Sequence, residues 1–188
     1  ITDGQITFEG TELSSLEGRS LKQFRHRMQM IFQDPYASLN PRMTVYDTLA
    51  EPLLLHGLVR KADLDQAIRE LMDNVGLARA FVRKYPHEFS GGQRQRIAIG
   101  RALATRPEFI VADEPVSALD VTIQAQILDL LADLTKEYGL TMLFISHDLA
   151  VIRQIADRIA VMYHGKLVEE RSTAQLLETQ QQDYTRSL

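Results

Sequence analysis

The sequence predicts an α/β fold, a sheet of buried strands interrupted by a helical insertion. Three observations predict it. Short apolar runs at Met28–Phe32, Phe109–Ala112 and Leu140–Ile145 lack the alternation of a half-wet strand and fit strands buried on both faces of a parallel sheet. Helical stretches lie between these runs, giving the strand–helix–strand order of an α/β sheet. Residues 44–85 carry helix-spaced apolar positions at Leu53, Leu64, Ile68, Leu71 and Met72, broken by Gly57 and Gly76.

The elements follow in order. Residues 1–32 read as short strands and turns punctuated by Asp3-Gly4 and Glu9-Gly10, then a short helical stretch through Leu21 and Phe24. A helix over Ser90–Thr105 stops before Pro107, because the residue ahead of a proline is driven from helical geometry. Asp120–Tyr138 is an amphipathic helix with Ile123, Ile127, Leu130, Leu131 and Leu134 on one side, closed by Gly139. A helix from Leu149 to Ala156 precedes Ile159–Tyr163, a His164-Gly165 turn and Lys166–Glu169, which read as a hairpin.

Composition narrows the function classes. The 188 residues include 25 acidic and 21 basic side chains, a net charge of −4, which argues against a nucleic-acid grip built on bulk positive charge. No cysteine is present, so disulfide frameworks and thiolate metal sites are excluded. Residues 1–20 lack the basic-then-apolar pattern of a signal peptide. Apolar stretches such as Leu53–Leu55 and Met142–Ile145 are far shorter than the roughly 20 residues that span a bilayer.

Three strand ends carry chemistry. Gln33 follows the first run, Asp113-Glu114 the second and His147 the third, and ligands of open α/β sheets bind outside the carboxyl ends of the strands. Each alone reads as a loop residue or a cap; together they read as a site. Adjacent residues on an extended chain point in different directions, so one of the two carboxylates can hold a hydrated Mg²⁺ while the other faces a water as general base. Ser90-Gly91-Gly92-Gln93 opens the next helix 20 residues before Asp113, counting from Gln93. Ser-x-x-Gln is a capping box, and the glycines allow a phosphate to approach bare helix N–H groups.

These motifs resemble the nucleotide-binding domain of ATP-binding cassette (ABC) transporters. Phe89-Ser90-Gly91-Gly92-Gln93 looks like the family's signature motif, with Phe in place of the usual Leu. Phe109–Pro115 looks like Walker B with its catalytic glutamate, Ser117-Ala118-Leu119-Asp120 like the D-loop, His147 like the switch histidine and Gln33 like the Q-loop glutamine. Asp34–Pro41, Glu114–Val121 and Tyr184-Thr185-Arg186 are similar to the oligopeptide/dipeptide importer branch.

The resemblance implies a P-loop NTPase-like (RecA-like) core with a helical signature subdomain. The implied divisions are 1–33 as a remnant of the antiparallel β region with the Q-loop strand, 34–105 as the helical subdomain, 106–170 as the core, and 171–188 as the start of a C-terminal extension. It implies ATP and Mg²⁺ as cofactors, with Glu114 and His147 catalytic and Asp113 and Gln33 at the metal. Ser90, Gly91, Gly92 and Gln93 would grip the γ-phosphate held by an opposite subunit, and Asp120 would link the two sites. The implied partners are a second ABC domain head to tail, membrane permease subunits docking near residues 34–60 and, indirectly, a solute-binding protein, with no nucleic acid. The implied location is the cytoplasmic face of the inner membrane.

The family's P-loop, Gly-x-x-x-x-Gly-Lys-Ser/Thr, does not occur; the sole Gly-Lys pair, Gly165-Lys166, precedes Leu167 on the hairpin. In the family the P-loop lies upstream of the segment at which this sequence starts. The expectation is therefore a truncated cassette without the first strands and the P-loop helix, inactive on its own. The alternatives are a soluble ABC ATPase of repair or translation and a non-catalytic interaction module. Only 56 residues separate Gln33 from Ser90, without the heptads of a repair-type coiled coil. Arg94, Arg96, Arg101 and Arg106 read as a solvated helix face or interdomain ion pairs rather than an RNA patch, and the remaining histidines are scattered.

Overall fold

The computed structural model describes residues 4–187; Asp3 of the expected Asp3-Gly4 turn and Leu188 fall outside them. The chain begins with a small antiparallel pair, β1 (Thr7–Phe8) and β2 (Thr11–Glu12), followed by α1 (Gly18–Arg25). β3 (Met28–Ile31) then enters the main sheet. The insertion comprises α2 (Pro35–Ser38), α3 (Val45–Leu55), α4 (Leu64–Asn74) and α5 (Gly91–Leu103), with short 3₁₀ turns between the last three. β4 (Phe109–Asp113), α6 (Val121–Tyr138) and β5 (Thr141–Ile145) complete the sheet. After α7 (Leu149–Ile155) come the hairpin β6 (Arg158–Tyr163) and β7 (Lys166–Ser172), then α8 (Thr173–Glu178) and α9 (Asp183–Ser187).

Local chemistry sets these boundaries. Thr44 and Asp47 form a reciprocal capping box at the start of α3, satisfying N–H groups that have no partner within the helix. Asp120 caps α6 by accepting from the Ile123 N–H at 3.1 Å. At its other end Gly139 takes the left-handed conformation, φ 62°, that other residues resist. Arg27 binds Glu108 at 2.5 Å and also Glu9, tying the β1–β2 turn to the amino end of the sheet.

The main sheet is parallel in the order β3–β4–β5, with β4 in the middle. Its two faces differ. Ile31 and Ile110 lie on the face that is covered, in one core with Ile97, Ile99 and Leu103 of α5 and Ile127, Leu131 and Leu134 of α6, and the buried Ala112 shares that face. The register aligns Met30, Val111 and Leu143 on the opposite face, where Met30 is 36% and Leu143 50% exposed. Phe32 and Ile145 are exposed on the same side. The expectation of strands buried on both faces thus holds for one face only. An unalternated apolar run shows that both faces are suited to burial, but packing decides whether both are covered.

Candidate active site

Strand register brings the expected residues together. Ile31 pairs with Ala112 and Ala112 with Phe144, so the chain beyond each strand places Gln33, Glu114 and the Ser146–His147 turn at one level. The Gln33 Nε2 donates to Glu114 Oε2 at 2.8 Å, and His147 Nδ1 lies 3.2 Å from Glu114 Oε1. Glu114 is largely covered while His147 is largely exposed. Both carboxylate oxygens are therefore engaged, each with lone-pair capacity to spare for a water proton.

Glu114 does not continue the extended strand, which corrects the sequence reading. Its φ of 44° is left-handed, a conformation costly for a residue with a Cβ. The surroundings hold it there: its N–H donates to the Ile145 carbonyl at 3.0 Å, and its carbonyl accepts from Ser117 N at 3.2 Å and Ser117 Oγ at 3.1 Å. Gln124 Nε2 fastens the same loop, donating to the carbonyls of Val116 and Leu119, both at 3.0 Å. This turn swings the Glu114 carboxylate toward Gln33 and His147. Asp113 remains on the strand, on the exposed face it shares with Val111 and Leu143. The two carboxylates are separated, by a backbone turn instead of by strand alternation. Strain of this kind concentrates at functional sites.

Ser90–Gln93 forms a second locus. Ser90 caps α5, its Oγ accepting from Gln93 N at 3.4 Å while Gln93 Oε1 accepts from Ser90 N at 3.1 Å. Among the described residues no hydrogen bond joins this locus to Gln33, Glu114 or His147. The glycines have a packing reason that the sequence did not disclose. A Cβ at Gly91 would lie 3.3 Å from Leu119 Cδ2, and one at Gly92 would collide with Ile123 Cγ2. Asp120, at the same junction, uses one carboxylate oxygen on α6.

The donors at the strand ends are hard oxygens from Asp113, Gln33 and Glu114. Among the described residues no group of three His, Asp or Glu side chains converges to hold a metal. That donor set fits Mg²⁺, which keeps several waters and takes one or two carboxylates together with phosphate oxygens.

Residues 1–117 match the ABC transporter family profile, well over half of the chain. The chain belongs to the ABC transporter family. This cassette is 56% identical over its whole length to the oligopeptide transport ATP-binding protein OppF of Bacillus subtilis, spanning 62% of that protein. It is 50% identical over 98% of its length to the glutathione import ATP-binding protein GsiA of Pectobacterium atrosepticum, spanning 30% of it. Among solved structures, a dimeric ATP-binding cassette in a post-hydrolysis state bound to ADP and Pi superposes with a TM-score of 0.79 at 30% identity, over 92% of this chain and 74% of that one.

In this ABC cassette the arginines of α5 behave differently from either sequence reading. Arg94 Nε donates to the Pro86 carbonyl at 2.8 Å, Arg96 Nη1 to that of Val75 at 2.8 Å and Arg101 Nη1 to that of Ser38 at 2.6 Å. They are neither a solvated face nor ion pairs, but ties from one helix to backbone carbonyls of the insertion. Burial disfavours the charged form of Arg101, with Glu51 acting in the opposite direction. The sequence showed the basic face; nothing in it showed the carbonyls. No helix among the described residues is long and apolar enough to cross a membrane.

Proposed function

We propose that this chain acts in the ATP-binding subunit of an ABC importer, where ATP hydrolysis drives uptake of peptides or related solutes. The observation that carries the reading is the Gln33–Glu114–His147 cluster, with its 2.8 Å and 3.2 Å contacts on one turned-out carboxylate. In this reading Glu114 accepts a proton from the attacking water. His147 and Gln33 hold that carboxylate in place, and the exposed imidazole of His147 also reaches the γ-phosphate. Asp113 and Gln33 hold the metal; Mg²⁺, when bound, neutralises charge developing on the phosphate oxygens. Ser90, Gly91, Gly92 and Gln93 present the N-terminus of α5 to the γ-phosphate of a nucleotide on a second cassette packed head to tail. Asp120 lies at the junction between the two sites.

The names of the relatives, oligopeptide transport for OppF and glutathione import for GsiA, support the solute class. Membrane subunits would dock near residues 34–60 on the cytoplasmic face of the inner membrane, with a solute-binding protein beyond them. The sequence has no Gly-x-x-x-x-Gly-Lys-Ser/Thr to cradle the β- and γ-phosphates, and we infer that these 188 residues alone turn over no ATP.

The test uses the full-length subunit with Mg²⁺ and ATP. Glu114→Gln keeps the hydrogen bond from Gln33 but removes the base, and should lower kcat by about 100-fold or more with the KM for ATP little changed. Wild-type turnover of Glu114→Gln would overturn the assignment.

A further inference from the structure

We propose that a cavity at the amino end of the sheet binds a small zwitterion with an apolar body, a short apolar peptide or amino acid, with Arg106 meeting its carboxylate and Glu70 its ammonium. The cavity encloses about 590 Å³, within the range of small-molecule sites. Arg27 and Glu108, which line it, precede β3 and β4, whereas Gln33 and Glu114 follow them. The cavity therefore lies at the opposite end of the sheet from the nucleotide cluster, and the ATPase reading does not bear on it.

Both parts of the molecule build its walls. Glu70, Leu71 and Asn74 come from α4 of the insertion, and Tyr138 from the last turn of α6 in the core. Asn74 donates to the Tyr138 hydroxyl and joins the two. Leu53, Leu58, Val59 and Leu71 supply the apolar lining, where Leu58 stays 42% exposed. Apolar side chains with a few polar groups among them are the usual lining of a ligand site.

Charge selects the ligand. Arg27, Glu70, Arg106 and Glu108 line the cavity, beside His26. Two of these charges are matched: Arg27 Nε donates to Glu108 Oε1 at 2.5 Å and its Nη2 to Glu108 Oε2 at 2.7 Å. The other two are open. Among the described residues the Arg106 guanidinium has no hydrogen bond or ion pair. Glu70 Oε1 accepts from Gln66 Nε2 at 2.8 Å, which leaves Oε2 for a ligand. Burial, then Glu137, raise the pKa of the Tyr138 phenol; Arg106 opposes them and Glu70 adds to them, so both open charges are felt at that hydroxyl.

The backbone singles out Arg106 as well. Its φ of 50° is left-handed, a conformation that glycine adopts at least cost just beyond a helix. The N–H of Arg106 donates to the Leu103 carbonyl at 2.8 Å, which holds this turn after α5. An arginine thus stands where glycine fits best, with a guanidinium that a ligand carboxylate can engage through two parallel bonds. A simple anion would face Glu70 and a simple cation would face Arg106. The two open charges favour a molecule that carries both.

The experiment is calorimetric titration of the nucleotide-free full-length subunit with leucyl-leucine, with leucine and with the uncharged N-acetyl-leucine amide. One of the two zwitterions should bind with a Kd below about 1 mM, the tighter one distinguishing peptide from amino acid, and the uncharged compound at least about tenfold more weakly. Arg106→Met and Glu70→Gln alter exposed side chains, so each should fold normally and weaken the zwitterion about tenfold. No binding of either zwitterion at about 10 mM would overturn the proposal, as would equal affinity for the uncharged compound or unchanged affinity in both variants. Amide exchange locates the site. The tighter zwitterion at saturation should slow exchange at Glu70–Asn74 and leave Tyr36–Leu39 unchanged, and unaltered exchange in α4 would sink the assignment.

Discussion

Single residues carry two demands at once in this protein. Gly92 stands in the locus we propose meets phosphate, and it also stands where α5 meets Ile123 of α6 with no room for a methyl group. The close approach to Ile123 excludes a side chain, and the sequence shows only that the position is glycine. Gly92→Ala should therefore cost about 1–3 kcal/mol in urea unfolding, the usual range for forcing a methyl into a packed contact. Ile123→Ala should recover most of that loss if packing is the reason. No recovery would mean that the collision with Ile123 does not set the glycine. Glu114 is the second such residue. Its type was legible as a candidate base, whereas its left-handed backbone was not, because that depends on Ile145 and Ser117.

Helices were the most legible elements, because their ends are written in local chemistry. The expected helix over 120–138 begins and ends where Asp120 and Gly139 place it. Asp120→Ala removes the acceptor for Ile123 N–H and should cost about 1 kcal/mol by chemical denaturation, with Asp120→Asn close to wild type. An alanine variant as stable as wild type would show that the 3.1 Å bond contributes nothing. The short α2 is the contrasting case. Pro35 at its first position favours a helix start, but four residues do not sustain one, and α2 is further held by the Asp34 cap, the Arg94–Tyr36 contact and the Arg101 bond to Ser38. Contacts between residues 63 positions apart, as for Arg101 and Ser38, leave no periodic trace in a sequence.

For the molecule as a whole, the parallel sheet presents an apolar face. Met30, Phe32, Leu143 and Ile145 are between 36% and 50% exposed on it. Exposed apolar surface of this kind drives association. The 188-residue chain should therefore scatter light as an oligomer or aggregate at micromolar concentration, and replacing Phe32 and Leu143 with serine should reduce the scattering. A clean wild-type monomer would contradict this expectation. The same sheet explains why the site was partly readable. A parallel sheet gathers its carboxyl ends at one edge, so Gln33, Glu114 and His147 converge although they are separated by 81 and 33 residues.

By itself the sequence determined the α/β class, the order of the main elements, the helix caps and the residue types at the strand ends. Those features depend on periodicity and on neighbours a few positions away. Tertiary structure alone decided which sheet face is covered, which way Glu114 turns, why Gly92 must lack a Cβ and what the α5 arginines hold. Each of these depends on atoms brought close by folding, and separation along the chain does not encode distance in space.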